Sequence, residues 1–485
     1  FFQAEFCIRY QPRSRGLGDV YKRQNDFRGI FFYMETPEQM NWEGSPLEVI
    51  EQGDRTLLRF NFINLPTRLD HSLHYQFALQ ATPVRKRDRR LERMLFGYPF
   101  FWKSEMIEPK HTAEGKLPAA VLWEFGRIEK DYRVTDPDRM RRMTANWQSC
   151  GVEMLVNIGS GFFVEDEPGY QHYGPEWNQQ PPVRYPNHAG TGVTLVKVCP
   201  RSSFPDYFLW WVKEMIEKYD IGGIYLDLSG PVGCANPHHG CGFERDGEWH
   251  MTAEQFACRE FYKRCYTFLK EEGAKRGREF YIFQHSAEGI VTTFVDMMTK
   301  GEGWSAADDF DTLTPTYFRT CESWSHLGVP YTFYPTVSMP VYRGGKYRAP
   351  HHEPLACTLL HDVLTVGHWK EQIMGDLLPV WKAWDEFEID QAEWVPYYHR
   401  DARVAPSTAQ LLASFYIGPG RLMIVASNLT RDPVEGHLRI DRRALGLPDG
   451  GLPVHEIHSG DRQVLASDVL PVRIGPKNFR LLRIN

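Results

Sequence analysis

The pattern that most constrains the fold is an alternation of short apolar runs and amphipathic segments across residues 95–400. The apolar runs are typical of strands and include PAAVLWEF, GVEMLVNIG, VTLVKV, IGGIYL, EFYIF, VDMMTK and VPYTFY. Helical patterns separate most of them. Strands that alternate with helices predict a parallel sheet. The length of the region, with seven or eight strand candidates and polar residues at the strand ends, favours a (β/α)8 TIM-type barrel over an open doubly wound sheet.

Both flanks of this region have β-type patterns. Residues 26–94 contain short aromatic and β-branched runs such as FRGIFFYM and TLLRFNFI, which we interpret as the remnant of an N-terminal β-sandwich. Residues 401–485 return to the same pattern and predict a C-terminal β-sandwich. Residues 1–25 contain PRSRGLGDVYKRQ, which is typical of translated adapter sequence, so we expect a non-native segment in place of the natural N-terminus. The cellular location therefore stays open, and a periplasmic or secreted protein is compatible with the sequence.

Charge and hydropathy exclude two classes of partner. The net charge is -6 and the basic residues are scattered, which gives no electrostatic footprint for nucleic acid. Their densest cluster, from Arg85 to Arg90, we interpret as a solvated connector. The sequence has no apolar run long enough to span a membrane. It also lacks a glycine-rich phosphate loop after any strand, so we expect no nucleotide and no other cofactor.

Polar and aromatic side chains stand at or just after the ends of the predicted strands. In a barrel of this type the catalytic groups sit at the C-terminal ends of the strands, so these residues are expected to face one pocket. Asp227 and Glu302 follow what we count as strands four and six, and they are the predicted catalytic residues. The predicted substrate-binding residues are Trp123, Glu124, Asn157, Tyr225, His239, His285, Glu288, Trp304 and Tyr334.

Two carboxyl groups that face one pocket are what glycoside hydrolysis needs. One protonates the leaving oxygen, while the other attacks, activates water or stabilises positive charge on the sugar. A structural alternative stays open for each acid: Asp227 as a turn cap, Glu302 as a solvated loop residue, and Glu124 as a partner of Arg127. His285 has the alternative of a buried core histidine.

Aromatic rings near the strand ends are the second part of the predicted site. The faces of Trp123, Trp304 and Tyr334 are expected to stack on the apolar side of a pyranose, with barrel packing as the alternative. The sequence contains no G-x-S-x-G and no H-E-x-x-H motif, which disfavours the hydrolase types that depend on them.

The segment CANPHHGCG brings Cys234, His238, His239 and Cys241 together. Cysteine and histidine suggest zinc, but the spacing is not a standard one and adjacent histidines rarely bind the same ion. A Cys234–Cys241 disulfide and a plain loop that lines the substrate site are the other interpretations. We favour the loop, from which His238 or His239 reaches a sugar hydroxyl, and expect no metal.

Four motifs carry a resemblance to a known family. FNFINLP…FALQATPV, GGIYLDLSGP, NPHHGCG and TKGEGW together resemble a bacterial group of glycoside-hydrolase-like barrel proteins that neighbours glycoside hydrolase family 123. The similarity extends over most of Asp26 to Asn485. It implies an N-terminal sandwich, a central barrel and a C-terminal sandwich, the order read above.

The resemblance implies an exo-acting glycosidase that removes a terminal sugar, such as a β-linked N-acetylgalactosamine. In family 123 an adjacent Asp-Glu pair does this work: the Asp orients the acetamido group and the Glu is the acid/base. Here Asp227 is followed by Leu228, so the acid/base must come from elsewhere, and Glu302 is the leading candidate. An α- or β-galactosidase-type retaining hydrolase and an inactive carbohydrate-binding barrel are the alternatives. In each case the partner is a carbohydrate, and the oligomeric state is open.

Overall fold

The structure is a computed structural model. It describes residues 7–10, 20–24, 28–44, 46–53, 55–93, 95–99, 116–123, 128–129, 133–159, 161–186, 192–227, 229–285, 289–301, 314–319, 327–334, 350–367 and 371–485.

Eight parallel strands form one sheet in which the spatial order follows the chain order. A further parallel bridge joins Leu95, in the first strand, to Gly367, just past the eighth, and closes the sheet into a barrel. The predicted barrel is therefore confirmed. Barrel strands one to eight are Leu95–Pro99, Ala119–Trp123, Glu153–Ile158, Gly223–Leu226, Tyr281–His285, Met297–Lys300, Tyr331–Phe333 and Leu364–Thr365.

Two details of the barrel differ from the sequence interpretation. The run VTLVKV does not enter the barrel, because Leu195–Lys197 pairs in a separate antiparallel sheet with Phe162–Val164 and Arg184–Tyr185. Strand eight lies within residues 353–366, whose sequence pattern indicates a helix. Its helix ends early because Asp362 adopts a left-handed conformation, with a φ of 59°, and the chain then turns into the strand.

Helices cover the outside of the barrel, and their boundaries follow local chemistry. The helix Pro137–Ser149 begins after Asp136, whose side chain accepts a hydrogen bond from the Arg139 amide, as an N-cap residue does. The helix Phe204–Tyr219 buries an apolar stripe that includes Phe208 and Val212. Among the described residues, no helix is long and apolar enough to cross a membrane. The remaining α-helices are Pro168–Trp177, Gln255–Lys275, Pro315–Tyr317, His352–Thr358 and Glu371–Phe387.

Short elements complete this region of the chain. The 3-10 helices are Arg89–Arg93, Pro237–His239, Gly289–Phe294, Leu359–His361, Ile389–Gln391 and Tyr397–His399. The short strands outside the barrel are Ile128–Glu129, Arg133–Val134, Phe162–Val164, Arg184–Tyr185, Leu195–Lys197, Gly233–Cys234, Phe243–Arg245, Glu248–His250 and Thr252–Ala253.

The two glycines of IGGIYL, Gly222 and Gly223, are required at the start of strand four because neighbouring atoms leave no room for a side chain. Gly223 has a φ of 154°, and a Cβ there would lie 2.0 Å from the carbonyl oxygen of Tyr281 in the neighbouring strand. A Cβ on Gly222 would lie equally close, at 2.0 Å, to the Glu153 carboxylate. Only glycine lets strand four approach both neighbours this closely.

The N-terminal region is a four-stranded antiparallel sheet and a separate hairpin. Phe32 of the sheet stacks on Phe60 of the hairpin, with ring centroids 4.0 Å apart, while Phe31 and Tyr33 on the opposite face join the core that surrounds the barrel. The predicted N-terminal sandwich and its domain limits stay predictions. The sheet strands are Cys7–Tyr10, Val20–Gln24, Gly29–Met34 and Phe77–Thr82, and the hairpin strands are Leu47–Gln52 and Arg55–Phe60.

The C-terminal region consists of two antiparallel sheets with a separate apolar core formed by residues such as Phe415, Ile424 and Leu438. The larger sheet has six strands and the smaller has three. These sheets confirm the β-type region predicted behind the barrel. Their strands are Glu393–Val395, Val404–Pro406, Leu411–Gly418, Arg421–Asn428, Val434–Ile440, Leu452–Glu456, Arg462–Leu465, Val469–Ile474 and Asn478–Ile484.

Candidate active site

The alternation of side chains along the strands determines which residues face the barrel interior. Leu155, Tyr225 and Phe283 pack together in the cluster that fills the barrel. Because side chains two residues apart share a face, Asn157 lies on the interior side with Leu155, and His285 with Phe283. The strand register sets Asn157 beside Tyr225. The last inward positions of strands three, four and five therefore form one wall at the barrel mouth.

Tyr225, His285 and Asp227 form a connected group on this wall. The hydroxyl of Tyr225 is hydrogen-bonded to Nδ1 of His285, and both side chains are buried. Oδ1 of Asp227 lies 3.8 Å from the same Nδ1. Since Nδ1 can donate or accept, the Tyr225 hydroxyl can bond either form of the ring. The group can thus hold the imidazole in one orientation beside a carboxylate.

Asp227 is the most accessible member of this group. Its side chain is 18% exposed, against 4% for His285. Its amide continues the ladder of strand four by donating to the Ile158 carbonyl at 3.1 Å, and the Ser229 hydroxyl donates to its carbonyl at 2.6 Å. The backbone around Asp227 is thus held on both sides, and its carboxylate meets His285 at the edge of the interior.

Tyr334, the predicted stacking residue, and Tyr225, a predicted substrate-binding residue, both lie in the barrel interior. Both are fully buried, and the rings of Tyr334 and His285 lie 6.2 Å apart, centroid to centroid. In this structure neither ring offers an open face to a ligand. Both tyrosines instead pack beneath the mouth and support His285.

The other residues predicted to line the barrel mouth lie at the edges of the described segments or outside them. Trp123 is the last residue of strand two, but its side chain is outside the described set. Gly301 is the last described residue before Glu302, and a Cβ there would lie 2.4 Å from the Phe333 ring, so glycine is required where strand six ends. Glu124, Glu288, Glu302 and Trp304 lie outside the described residues.

His239 lies among cysteines. Its Nδ1 is 3.0 Å from Sγ of Cys241, and one ligand atom from each of His239, Cys241, Cys234 and Cys199 falls within 4.8 Å of all the others. The sequence interpretation considered Cys234 and Cys241 but missed Cys199. The only features of the sequence that pointed to Cys199 were the odd number of cysteines, nine, and its position directly after the run VTLVKV.

Comparison with known proteins gives a family match at one end of the chain. Residues 376–458, from the last helix into the C-terminal sheets, match the model of the glycoside hydrolase 123 C-terminal domain. No curated protein sequence matches the chain.

Solved structures show the same fold at low sequence identity. A noncanonic maltogenic alpha-amylase from Thermotoga neapolitana has a TM-score of 0.55 and 10% identity, with 81% of this chain and 99% of that one covered. A Paenibacillus cycloisomaltooligosaccharide glucanotransferase has a TM-score of 0.53 and 9% identity, with 97% and 100% covered. The galactosidase domain of an alpha-galactosidase-sucrose kinase has a TM-score of 0.52 and 11% identity, with 100% and 74% covered.

The structural likeness shows the fold, a barrel followed by C-terminal sheets. The family match shows that residues 376–458 are similar to the glycoside hydrolase 123 C-terminal domain, which agrees with the resemblance to the neighbourhood of family 123 that the sequence motifs predicted.

Proposed function

We propose that the chain removes a terminal β-linked N-acetylgalactosamine, with Asp227 and Glu302 as its catalytic carboxyl groups. The observation that carries this proposal is the position of Asp227. It directly follows strand four at the C-terminal end of the barrel, its carboxylate is partly accessible, and a buried histidine faces it. Active sites of such barrels are built at this end of the strands.

The reaction follows from the chemistry of the two acids. The carbonyl oxygen of the substrate acetamido group attacks the anomeric carbon while the glycosidic C–O bond breaks. Glu302 gives its proton to the leaving oxygen, and Asp227 orients the acetamido N–H and stabilises the positive charge that develops on it. Water then opens the cyclic intermediate, with Glu302 as the base that takes its proton.

One departure from family 123 favours a second candidate. Leu228 follows Asp227, so the two acids stand after different strands, four and six, instead of side by side. With this arrangement Asp227 can act as a nucleophile on an α- or β-galactoside that has no acetamido group. In that case the carboxyl groups must lie about 5–5.5 Å apart.

A panel of aryl glycosides separates the candidates. We expect the aryl β-N-acetylgalactosaminide to have the highest kcat/KM, and a thiazoline analogue of the cyclic intermediate to inhibit competitively. Preferred cleavage of a galactoside, with no thiazoline inhibition, would replace the first candidate with the second. Binding of sugars by calorimetry with no turnover of any substrate would contradict both and indicate a carbohydrate-binding barrel.

The Glu302→Gln variant tests the acid directly. We expect kcat/KM to fall about 10²–10⁴-fold on a phenyl glycoside, whose leaving group needs a proton, and much less on a 2,4-dinitrophenyl glycoside, which leaves as a stabilised anion. The exposed carboxylate of Glu435 provides the control, and Glu435→Gln should leave both rates unchanged. Equal losses on the two substrates would contradict the role of Glu302 as general acid.

The Tyr225→Phe variant tests whether the hydroxyl positions His285. Removal of one buried hydrogen bond is expected to lower kcat/KM about fivefold, since such a bond is worth about 1 kcal/mol. The pH profile of kcat/KM should also shift, because His285 loses a partner at Nδ1. Tyr262→Phe, a buried tyrosine on the outer helix Gln255–Lys275, controls for loss of stability alone. An unchanged pH profile would show that the Tyr225 hydroxyl only supports packing.

A further inference from the structure

Three cysteines and a histidine meet between two loops on the catalytic side of the barrel. Cys199 lies in the segment between strand three and the helix Phe204–Tyr219, while Cys234, His239 and Cys241 lie in the segment between strand four and the helix Gln255–Lys275. The three cysteines are buried, and together with Val232 they form an apolar cluster of their own. We call Cys199, Cys234, His239 and Cys241 the thiol cluster.

We propose that the thiol cluster is a structural zinc site that fastens the loop after strand three to the loop after strand four. Structural zinc is held by four cysteine and histidine ligands in a tetrahedron, and three cysteines with one histidine is an established set. Such a site would secure the two loops that flank Asp227. The inference concerns the architecture of the protein and does not depend on the reaction proposed above.

The distances within the thiol cluster fit this assignment. With zinc–sulfur bonds of about 2.3 Å, two sulfur ligands of a tetrahedral site lie about 3.8 Å apart. Sγ of Cys199 and Sγ of Cys241 are separated by 3.8 Å. All four ligand atoms lie within 4.8 Å of one another, so one ion can reach them.

His239 would have to move only slightly to bind the ion. Its Nδ1 lies 3.0 Å from Sγ of Cys241, whereas a nitrogen and a sulfur bound to one zinc would be about 3.6 Å apart. Gly240, in a left-handed conformation, separates the two ligands and gives the loop room to move. Nε2 of His239 is buried and has no hydrogen-bond partner among the described residues, and an ion bound through Nε2 would satisfy it.

The number of thiols favours a metal over a disulfide. Zinc binds cysteine as the thiolate, so an ion at this position would displace the thiol protons and balance the negative charge that remains. A disulfide would use two of the three thiols and leave the third unused.

Hydrogen bonds and an ion pair surround the thiol cluster. The Asn236 amide lies 3.4 Å from Sγ of Cys234 and can donate to it. The Thr252 hydroxyl donates to the Glu254 carboxylate at 2.6 Å and lies 3.2 Å from the Cys234 carbonyl oxygen. Glu254 is fully buried and pairs at 2.6 Å with Arg201, two residues after Cys199. Hydrogen bonds thus hold the loop after strand four in shape, and the ion pair joins it to the loop after strand three, as expected around a metal site.

Metal analysis of the whole chain, purified under reducing conditions without a histidine tag or chelator, tests the proposal. We expect about one zinc per chain by mass spectrometry, and less than about 0.2 in each of Cys199→Ser, Cys234→Ser and Cys241→Ser. Cys265→Ser, a buried cysteine outside the thiol cluster, should keep the full zinc content. Titration of zinc-free wild-type protein with Co²⁺ should produce the thiolate-to-cobalt charge-transfer bands of a tetrahedral sulfur site, a readout that does not require any variant to fold.

Three results would overturn the assignment. The first is wild-type protein that contains no stoichiometric metal and gives no charge-transfer bands with Co²⁺. The second is a pair of cysteines protected from a thiol reagent in the denatured, unreduced, metal-free protein, which would indicate a disulfide. The third is stoichiometric iron or copper in place of zinc.

Discussion

Asp227→Asn is expected to reduce kcat/KM at least about 10²-fold, the lower end of what one charge-stabilising or proton-transferring group contributes. The amide keeps the size of the carboxylate but loses its negative charge. It therefore can neither stabilise a positive acetamido group nor attack the sugar. KM should change much less than kcat, because the charge acts on the transition state.

The dependence on the leaving group distinguishes Asp227 from Glu302. A polarising carboxylate is needed whatever group departs, so the loss in Asp227→Asn should be similar for phenyl and 2,4-dinitrophenyl glycosides. Asp138→Asn, on the outer helix Pro137–Ser149 with a side chain that is 83% exposed, is the control and should be fully active. Full activity of Asp227→Asn on a substrate that the wild type cleaves would disprove the assignment.

Asp362→Asn is expected to lower the free energy of unfolding by about 3–5 kcal/mol, the cost of breaking a buried ion pair by neutralising one partner. Asp362 contacts Arg87 at 2.9 Å and Arg89 at 2.6 Å, and it accepts a hydrogen bond from the Tyr416 hydroxyl at 2.6 Å. All of these side chains are largely buried. Substitution would leave two guanidinium groups with Glu92 as their remaining buried carboxylate.

Asp390→Asn is a matched control for this stability effect. Asp390 contacts the same Arg89 at 3.4 Å, but its side chain is 46% exposed, and an exposed pair of this kind contributes less than about 1 kcal/mol. Urea unfolding followed by fluorescence and circular dichroism gives the comparison. Equal shifts of the midpoint for the two variants would contradict the argument from burial.

The pH dependence of this stability difference has a definite sign. Burial raises the pKa of Asp362, but attraction to Arg89 and Arg87 outweighs it and leaves the pKa below its ordinary value of 3.8. A carboxyl whose pKa is lower in the folded state stabilises the fold above its unfolded pKa and loses that contribution as the pH falls through the folded pKa. The difference between wild type and Asp362→Asn should therefore be full at pH 7 and narrow below about pH 4.

Some interpretations depended only on local pattern, and among them the structure confirms the barrel. The alternation of strand-like and helical segments predicted a parallel barrel, and eight parallel strands close into one. Asp227 and His285 were chosen because they end strands, and their side chains come within 3.8 Å of each other. This step works from sequence because parallel strands deliver whatever follows them to one face.

Other interpretations depended on contacts between distant parts of the chain. The basic cluster from Arg85 to Arg90 looked like a solvated connector, and for Arg87 and Arg89 this was wrong, since both are largely buried against Asp362. Nothing in the local sequence shows this, because Asp362 is 275 residues away from Arg87. Cys199 is likewise 42 residues away from Cys241 and joins the thiol cluster only through the packing of two loops.

The sequence by itself determined the type of most elements, the class of fold and the strand ends at which chemistry can take place, because side-chain periodicity and the direction of parallel strands are local properties. The tertiary structure decided which strands close the barrel, including the two-residue strand Leu364–Thr365, and which charges are buried. It also decided that the cysteines of two loops meet. Each of these outcomes depends on contacts between segments that are far apart in the chain. The free energy of such contacts cannot be inferred from a local sequence pattern.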